Sequence, residues 1–185
     1  MLLLLPDFIK GIAAKSLAHK LVNRLNGRIE TEGGSSPKIY VRGQHRERKV
    51  EVFFAVTWGQ ASVTVIMKPK FDLHFQLRSK AGLKSLSARR HSDYEELDFA
   101  PGVFVKCIRD KDQLDVRRVI AGLEPELRER MLSLVKGQSA WSSTADGLQY
   151  DHVCSVFGSA DRLMDALDLA CDVAQGIENQ KLSIA

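Results

Sequence analysis

Two periodicities divide the chain. From Lys38 to Arg78 apolar and polar residues alternate; on either side of that stretch the apolar residues recur at helical spacing. Lys38–Arg42 reads as a short strand. Lys49–Thr57 sets Val50, Val52, Phe54 and Val56 on one side and Lys49, Glu51, Phe53 and Ala55 on the other. Trp58-Gly59-Gln60 supplies a turn, and Ala61–Lys68 returns with Val63, Val65 and Met67 inward. Leu73, Phe75 and Leu77 repeat the pattern and leave Asp72, His74, Gln76 and Arg78 outward. A period of two over neighbouring runs with short connections predicts an antiparallel meander, packed on one face and wet on the other.

The helical spacings come before and after. Pro6–Leu25 predicts a first helix, with Pro6 suited to an opening position and Asp7 to the positive helix end. Phe8, Ile9, Ile12, Ala13, Leu17, Leu21 and Leu25 form its apolar stripe, and Lys10, Lys15, Lys20 and Arg24 lie off it. Packing on a sheet is the expected use of that stripe; a basic amphipathic helix on an anionic membrane is the alternative. Val103–Ile108 reads as a strand. Val116, Val119, Ile120 and Leu123 then mark one helix, and Leu127, Met131, Leu134 and Val135 a second, punctuated by Gly122 and Pro125. Ser139–Thr144 and Leu148–Phe157 predict a hairpin around Asp146-Gly147. Ser159 caps a last helix whose buried side is Leu163, Ala166, Leu167, Ala170, Ala174 and Ile177. Between Ser79 and Gly102 the pattern weakens: a short strand is placed over Ala81–Leu86, and the rest is a functional loop or an overlooked strand. The fold class is α+β: antiparallel sheet, N-terminal helix, central helix pair and long C-terminal helix. One domain spans 1–185, divisible into a strand-rich part (1–90) and a helix-rich part (91–185).

Several of these residues carry a resemblance. Glu96-Leu97-Asp98-Phe99, then Phe104-Val105, an Asp-rich turn, Leu/Arg-rich helices, a hairpin and an Asp161-Arg162-Leu163 helix resemble a family of uncharacterised bacterial proteins, best from Glu96 to Ile177. The resemblance implies an α+β domain and no known activity.

Charge changes the picture more than composition does. The chain of 185 residues is 44% hydrophobic and 27% charged, ordinary values for a globular protein. Its net +4, however, combines 17 Lys/Arg against 6 Asp/Glu in residues 1–90 with 10 against 17 in residues 91–185. Either the basic half grips a polyanion or the two halves face and neutralise each other. Candidate anion- or partner-binding residues are Arg42, Arg46, Arg48 and Lys49 around one strand pair, with Arg78, Lys80, Lys84, Arg89 and Arg90 further on. Asp161, Asp165, Asp168 and Asp172 recur as an acidic stripe on the last helix, with a solvated face as its default reading.

Signatures of chemistry are absent from the sequence. It has no phosphate-cradling Walker motif, H-E-x-x-H, paired C-x-x-C or G-x-S-x-G. His152 and Cys154 fall two apart on a strand and share a face, but no third metal ligand stands near them. Cys107, Cys154 and Cys171 are odd in number and set among apolar residues, which suits reduced thiols in a cytoplasmic compartment. Four leucines ending at Pro6 fall short of a signal-peptide core or of the roughly 20 residues of a spanning helix. The expectation is therefore a binding module without a cofactor and not an enzyme. Its partner is a protein or a second copy of the chain. Nucleic acid or anionic lipid at the basic half is the alternative, and an enzyme of unrecognised class the other.

Overall fold

A computed structural model describes residues 7–33, 38–55, 60–66, 73–84, 93–107, 113–144, 147–152 and 159–182. Its frame is one nine-stranded antiparallel sheet. In chain order the strands are β1 (Arg28–Glu32), β2 (Lys38–His45), β3 (Arg48–Ala55), β4 (Gln60–Ile66), β5 (Phe75–Ser79), β6 (Glu95–Leu97), β7 (Ala100–Cys107), β8 (Ala140–Thr144) and β9 (Gly147–His152). The helices are α1 (Asp7–Leu25), α2 (Lys80–Lys84), α3 (Gln113–Ala121), α4 (Pro125–Ser133) and α5 (Ala160–Leu182). Across the sheet the strands run β1-β2-β3-β4-β9-β8-β5-β7-β6.

The alternation seen in the sequence decides which face is dry. Ile39, Val41, Val50, Val52, Phe54, Phe75, Leu77, Val103, Val105, Trp141, Leu148 and Tyr150 are all buried, and they are the inward positions of their strands. Their neighbours along each strand, such as Arg42, Glu51, Gln76, Lys106 and Gln149, are partly exposed. Helices cover the inward positions. Leu17, Leu21 and Leu25 of α1 and Leu163, Leu167, Ala170, Ala174 and Ile177 of α5 join the same core. The Trp141 indole donates to the Met131 carbonyl of α4 at 3.0 Å, which satisfies a buried N–H and ties α4 to β8. The sheet edges are blunted. β1 carries Arg28, Glu30 and Glu32, and β6 is three residues long, so neither edge invites pairing with another chain.

α1 ends in a Schellman turn. Asn26 sits at φ 44° and the Gly27 amide donates to the Val22 carbonyl at 3.1 Å. This turn drops β1 beside β2 with almost no room to spare. A Cβ on Gly27 would lie 2.3 Å from the Arg42 carbonyl oxygen, and one on Gly43 would lie 2.5 Å from the Leu25 carbonyl oxygen. Two facing glycines thus let the helix end cross the strand backbone.

Four sequence expectations change. The Leu73–Leu77 run does not continue the meander: β4 pairs with β9, and β5 pairs with β7 and β8. The β8–β9 hairpin fills the place between them, a long-range pairing that local alternation does not reveal. Lys80–Lys84 is helical, because the Ser79 hydroxyl accepts from the Gly82 amide at 3.0 Å and caps the turn. β1 is a strand where none was assigned, and β6 is the overlooked strand that the Ser79–Gly102 stretch left open; both are short and rich in charge. The α1 stripe turns toward Ala14, Leu17, Ala18, Leu21 and Leu25, leaving Ile9 and Ile12 exposed. The β8–β9 pairing, the Ser159 cap (3.2 Å to the Arg162 amide) and the buried side of α5 are as expected, although Gly147 pairs with Thr144 as a strand residue instead of sitting in the turn. Val56, Trp58-Gly59, Met67, Ser85–His91 and Cys154 lie outside the described residues.

Packing of this kind makes two substitutions diagnostic. Met131→Ala, at a fully buried site, should lower unfolding stability in urea by about 2–5 kcal/mol. Gly43→Ala should lower it by about 1–3 kcal/mol, since the new methyl meets backbone.

Candidate interaction surfaces

The basic half and the acidic half meet at the β2–β3 turn. His45 and Arg48 close the hairpin, with Arg46 at φ 49° and Glu47 at φ 65° between them. Two consecutive left-handed residues form the turn favoured by strand twist, usually with Asn-Gly. Here neither residue is glycine, so the turn keeps a conformation that costs about 1–2 kcal/mol per residue. What it gains is reach across to α5. His45 Nε2 lies 2.8 Å from Asp168, Arg46 Nη1 lies 2.6 Å from Asp172, and Arg48 Nη2 lies 2.7 Å from Glu178 and 2.9 Å from Gln175. Arg24 of α1 adds a pair with Asp161 at 2.6 Å. The Asp172 hydrogen bond raises the Arg46 pKa, and the Glu178 hydrogen bond raises that of Arg48. Three of the four aspartates in the stripe therefore meet the chain's own cations, against the solvated default. Of these pairs Arg48–Glu178 is the most enclosed, with side chains 13% and 11% exposed.

Cys171 lies in the core side of the same seam. Burial pushes its thiol up to about 11, against the lowering effect of Arg46 and Arg48. It is therefore a thiol, not a thiolate, at neutral pH. A cleft of about 420 Å³ opens beside the seam between α4 and α5, lined among others by Arg46, Leu127, Arg130, Asp172 and Gly176.

The wet face of the sheet holds a second arrangement. Arg42 bonds Glu30 and donates from Nε to Glu51 at 2.5 Å, and it lies over the Tyr40 ring at 5.2 Å. The Glu51 hydrogen bond raises the Arg42 pKa. Tyr40 and Phe53 pair with their ring centres 5.0 Å apart. Burial first, then Glu32, raises the Tyr40 pKa. Next to this network the two facing glycines leave a depression of about 630 Å³. Arg28, Arg42 and Lys49 stand around it with Glu51. Arg28 is paired with Glu30 at 2.7 Å, whereas Lys49 is exposed and in no ion pair among the described residues.

The nine sequence-selected cations are thus divided rather than pooled. Arg42 and Lys49 share the depression, and Arg46 and Arg48 are held by α5. Arg78 lies half-buried on β5 with its Nε unpartnered, Lys80 and Lys84 are exposed on α2, and Arg89 and Arg90 lie outside the described residues. Arg28 was not selected; only the unassigned strand β1 brings it to the depression. Among the described residues no cluster of His, Cys, Asp or Glu is built to hold a metal, and no helix is long and apolar enough to cross a membrane.

Comparison with known proteins adds a fold relationship. No family model and no curated protein matches the chain, which agrees with its resemblance to a family without known activity. Among solved structures it is similar to the crystal structure of the mycobacterial trehalose monomycolate transport factor A, TtfA. That likeness has a TM-score of 0.58 at 15% identity and covers 91% of this chain and 94% of that one. At that identity the two share a fold.

A double-mutant cycle on Arg48 and Glu178, read by urea unfolding, should give a coupling of about 1–3 kcal/mol. The exposed Arg24–Asp161 pair should give less than about 1 kcal/mol. A Cys107→Ser, Cys154→Ser variant should leave Cys171 unreactive toward a disulfide reagent at pH 8 until the protein unfolds. The unfolded thiol ionises near its ordinary 9.0 and the folded one near about 11, so stability should fall as pH rises between those values.

Proposed function

We propose that the chain is a non-catalytic binding module that takes an acidic segment of a protein partner at the depression between α1's end and strands β1–β3. The observation that carries this reading is the convergence of Arg28, Arg42 and Lys49 on a concavity floored by glycine backbone, with the Lys49 ammonium outside the ion-pair network. Carboxylates of a partner add to cations already oriented by Glu30 and Glu51, so little side-chain freedom is lost on binding. Arg46 and Arg48 support the site indirectly, because their grip on α5 fixes the hairpin that presents Lys49. The name of TtfA, a transport factor, is in keeping with a role exercised through binding. A nucleic acid or another polyanion is the second reading of the same cations, since phosphates would meet them equally well.

The test uses the whole chain on immobilised poly-glutamate and on single-stranded DNA. Salt-sensitive retention on poly-glutamate is expected, with Arg28→Glu/Lys49→Glu eluting at clearly lower salt than the parent and melting at the same temperature. Equal retention of parent and variant would sink the proposal. Stronger retention on DNA than on poly-glutamate would transfer it to the second reading.

A further inference from the structure

The exposed large apolar side chains among the described residues are Ile9 (42%), Ile12 (54%) and Phe99 (40%). Phe99 has the Arg128 guanidinium 5.9 Å from its ring centre. The two isoleucines are three residues apart in the first turns of α1 and therefore share one side of it. That side is opposite Ala14, Leu17, Ala18, Leu21 and Leu25, which face the core. Further along, its exposed residues are Lys15, Ser16, His19, Lys20 and Asn23. The outward side of α1 is thus apolar in its first turns and cationic afterwards. Within Asp7–Leu25 the single acidic residue is Asp7, and the sequence ahead of it reads Met1-Leu2-Leu3-Leu4-Leu5-Pro6.

We propose that this outward side of α1 docks on an anionic lipid surface. Ile9 and Ile12 enter the boundary between headgroups and acyl chains, and Lys15 and Lys20 meet lipid phosphates. A helix lying in an interface needs apolar residues on one side and flanking cations, and α1 supplies both while its other side is committed to the sheet. Charge selects lipid over a second copy of the chain. In a parallel two-fold contact through this side each lysine would face its own copy. The surface is separate from the depression on the wet face, since α1 covers the other face of the sheet.

Flotation with phosphatidylcholine vesicles and with equimolar phosphatidylcholine/phosphatidylglycerol vesicles tests the proposal on the full chain. The parent should float with the anionic vesicles and far less with the neutral ones. Ile9→Asp/Ile12→Asp should weaken that binding at least about tenfold, because two apolar anchors are lost. Lys15→Glu/Lys20→Glu should remove the preference for anionic lipid. Both variants should keep the parent's circular dichroism and melting temperature, as the sites are exposed. Arg28→Glu/Lys49→Glu should float like the parent, which separates this outcome from that of the wet-face site. Failure of the parent to float, or undiminished flotation of the isoleucine variant, overturns the proposal. So does a parent dimer in sedimentation that Ile9→Asp/Ile12→Asp dissolves while vesicle binding is absent.

Discussion

Everything in this protein answers to a sheet that is dry on one face only. Inward residues from Ile39 to Tyr150 must be covered, so α1, α4 and α5 contribute to the same layer. The opposite face then has to satisfy its side chains across strands, which is how Arg42 comes to lie between Glu30 and Glu51. One-sided burial also leaves α1 and α5 with outward sides of their own. The acidic side of α5 is taken up by the β2–β3 hairpin. The outward side of α1 has no such covering element among the described residues. The difference between those two helices is what separates a structural seam from a surface with work left to do.

The charge division in the sequence has a physical answer in that seam. Basic residues of the first half and acidic residues of the second neutralise one another where the hairpin tip meets α5. Long-range attraction of this kind contributes modestly where solvent reaches it, as at Arg24–Asp161. It matters more at Arg48–Glu178, where removing either partner strands the other in a poorly hydrated place. The two left-handed residues at the turn fit the same logic. Asn-Gly would relax the backbone but could not reach Asp172, so local strain is offset by the pair formed 126 residues away.

Legibility followed physical range. Period two located β2, β3 and β5, and period 3.6 located α3, α4 and α5, because each pattern is written within a few turns of chain. The β4–β9 and β5–β8 pairings were not readable: any two alternating strands can pair, and the choice is made by what else fits on the dry face. β1 escaped notice because an edge strand protected by charge lacks the apolar alternation that announces a strand. The nine selected cations were silent on pairing, since Arg46 and Asp172 look equally free in the sequence. Arg28 and the glycine pair Gly27–Gly43 had no signal at all; a shared concavity appears only once helix end and strand have crossed.

The order of strands also dictates a timetable. β4 is complete once residue 66 has left the ribosome, yet its partner β9 ends at residue 152. Until then one side of β4 is an open edge. During synthesis the β1–β4 unit must persist as a half-built sheet, its inward residues lacking α5, which comes last. Pairings so distant in sequence close slowly and expose sticky surface while they wait. A nascent chain of this design is expected to spend its vulnerable period between those two strands, whatever its finished form binds.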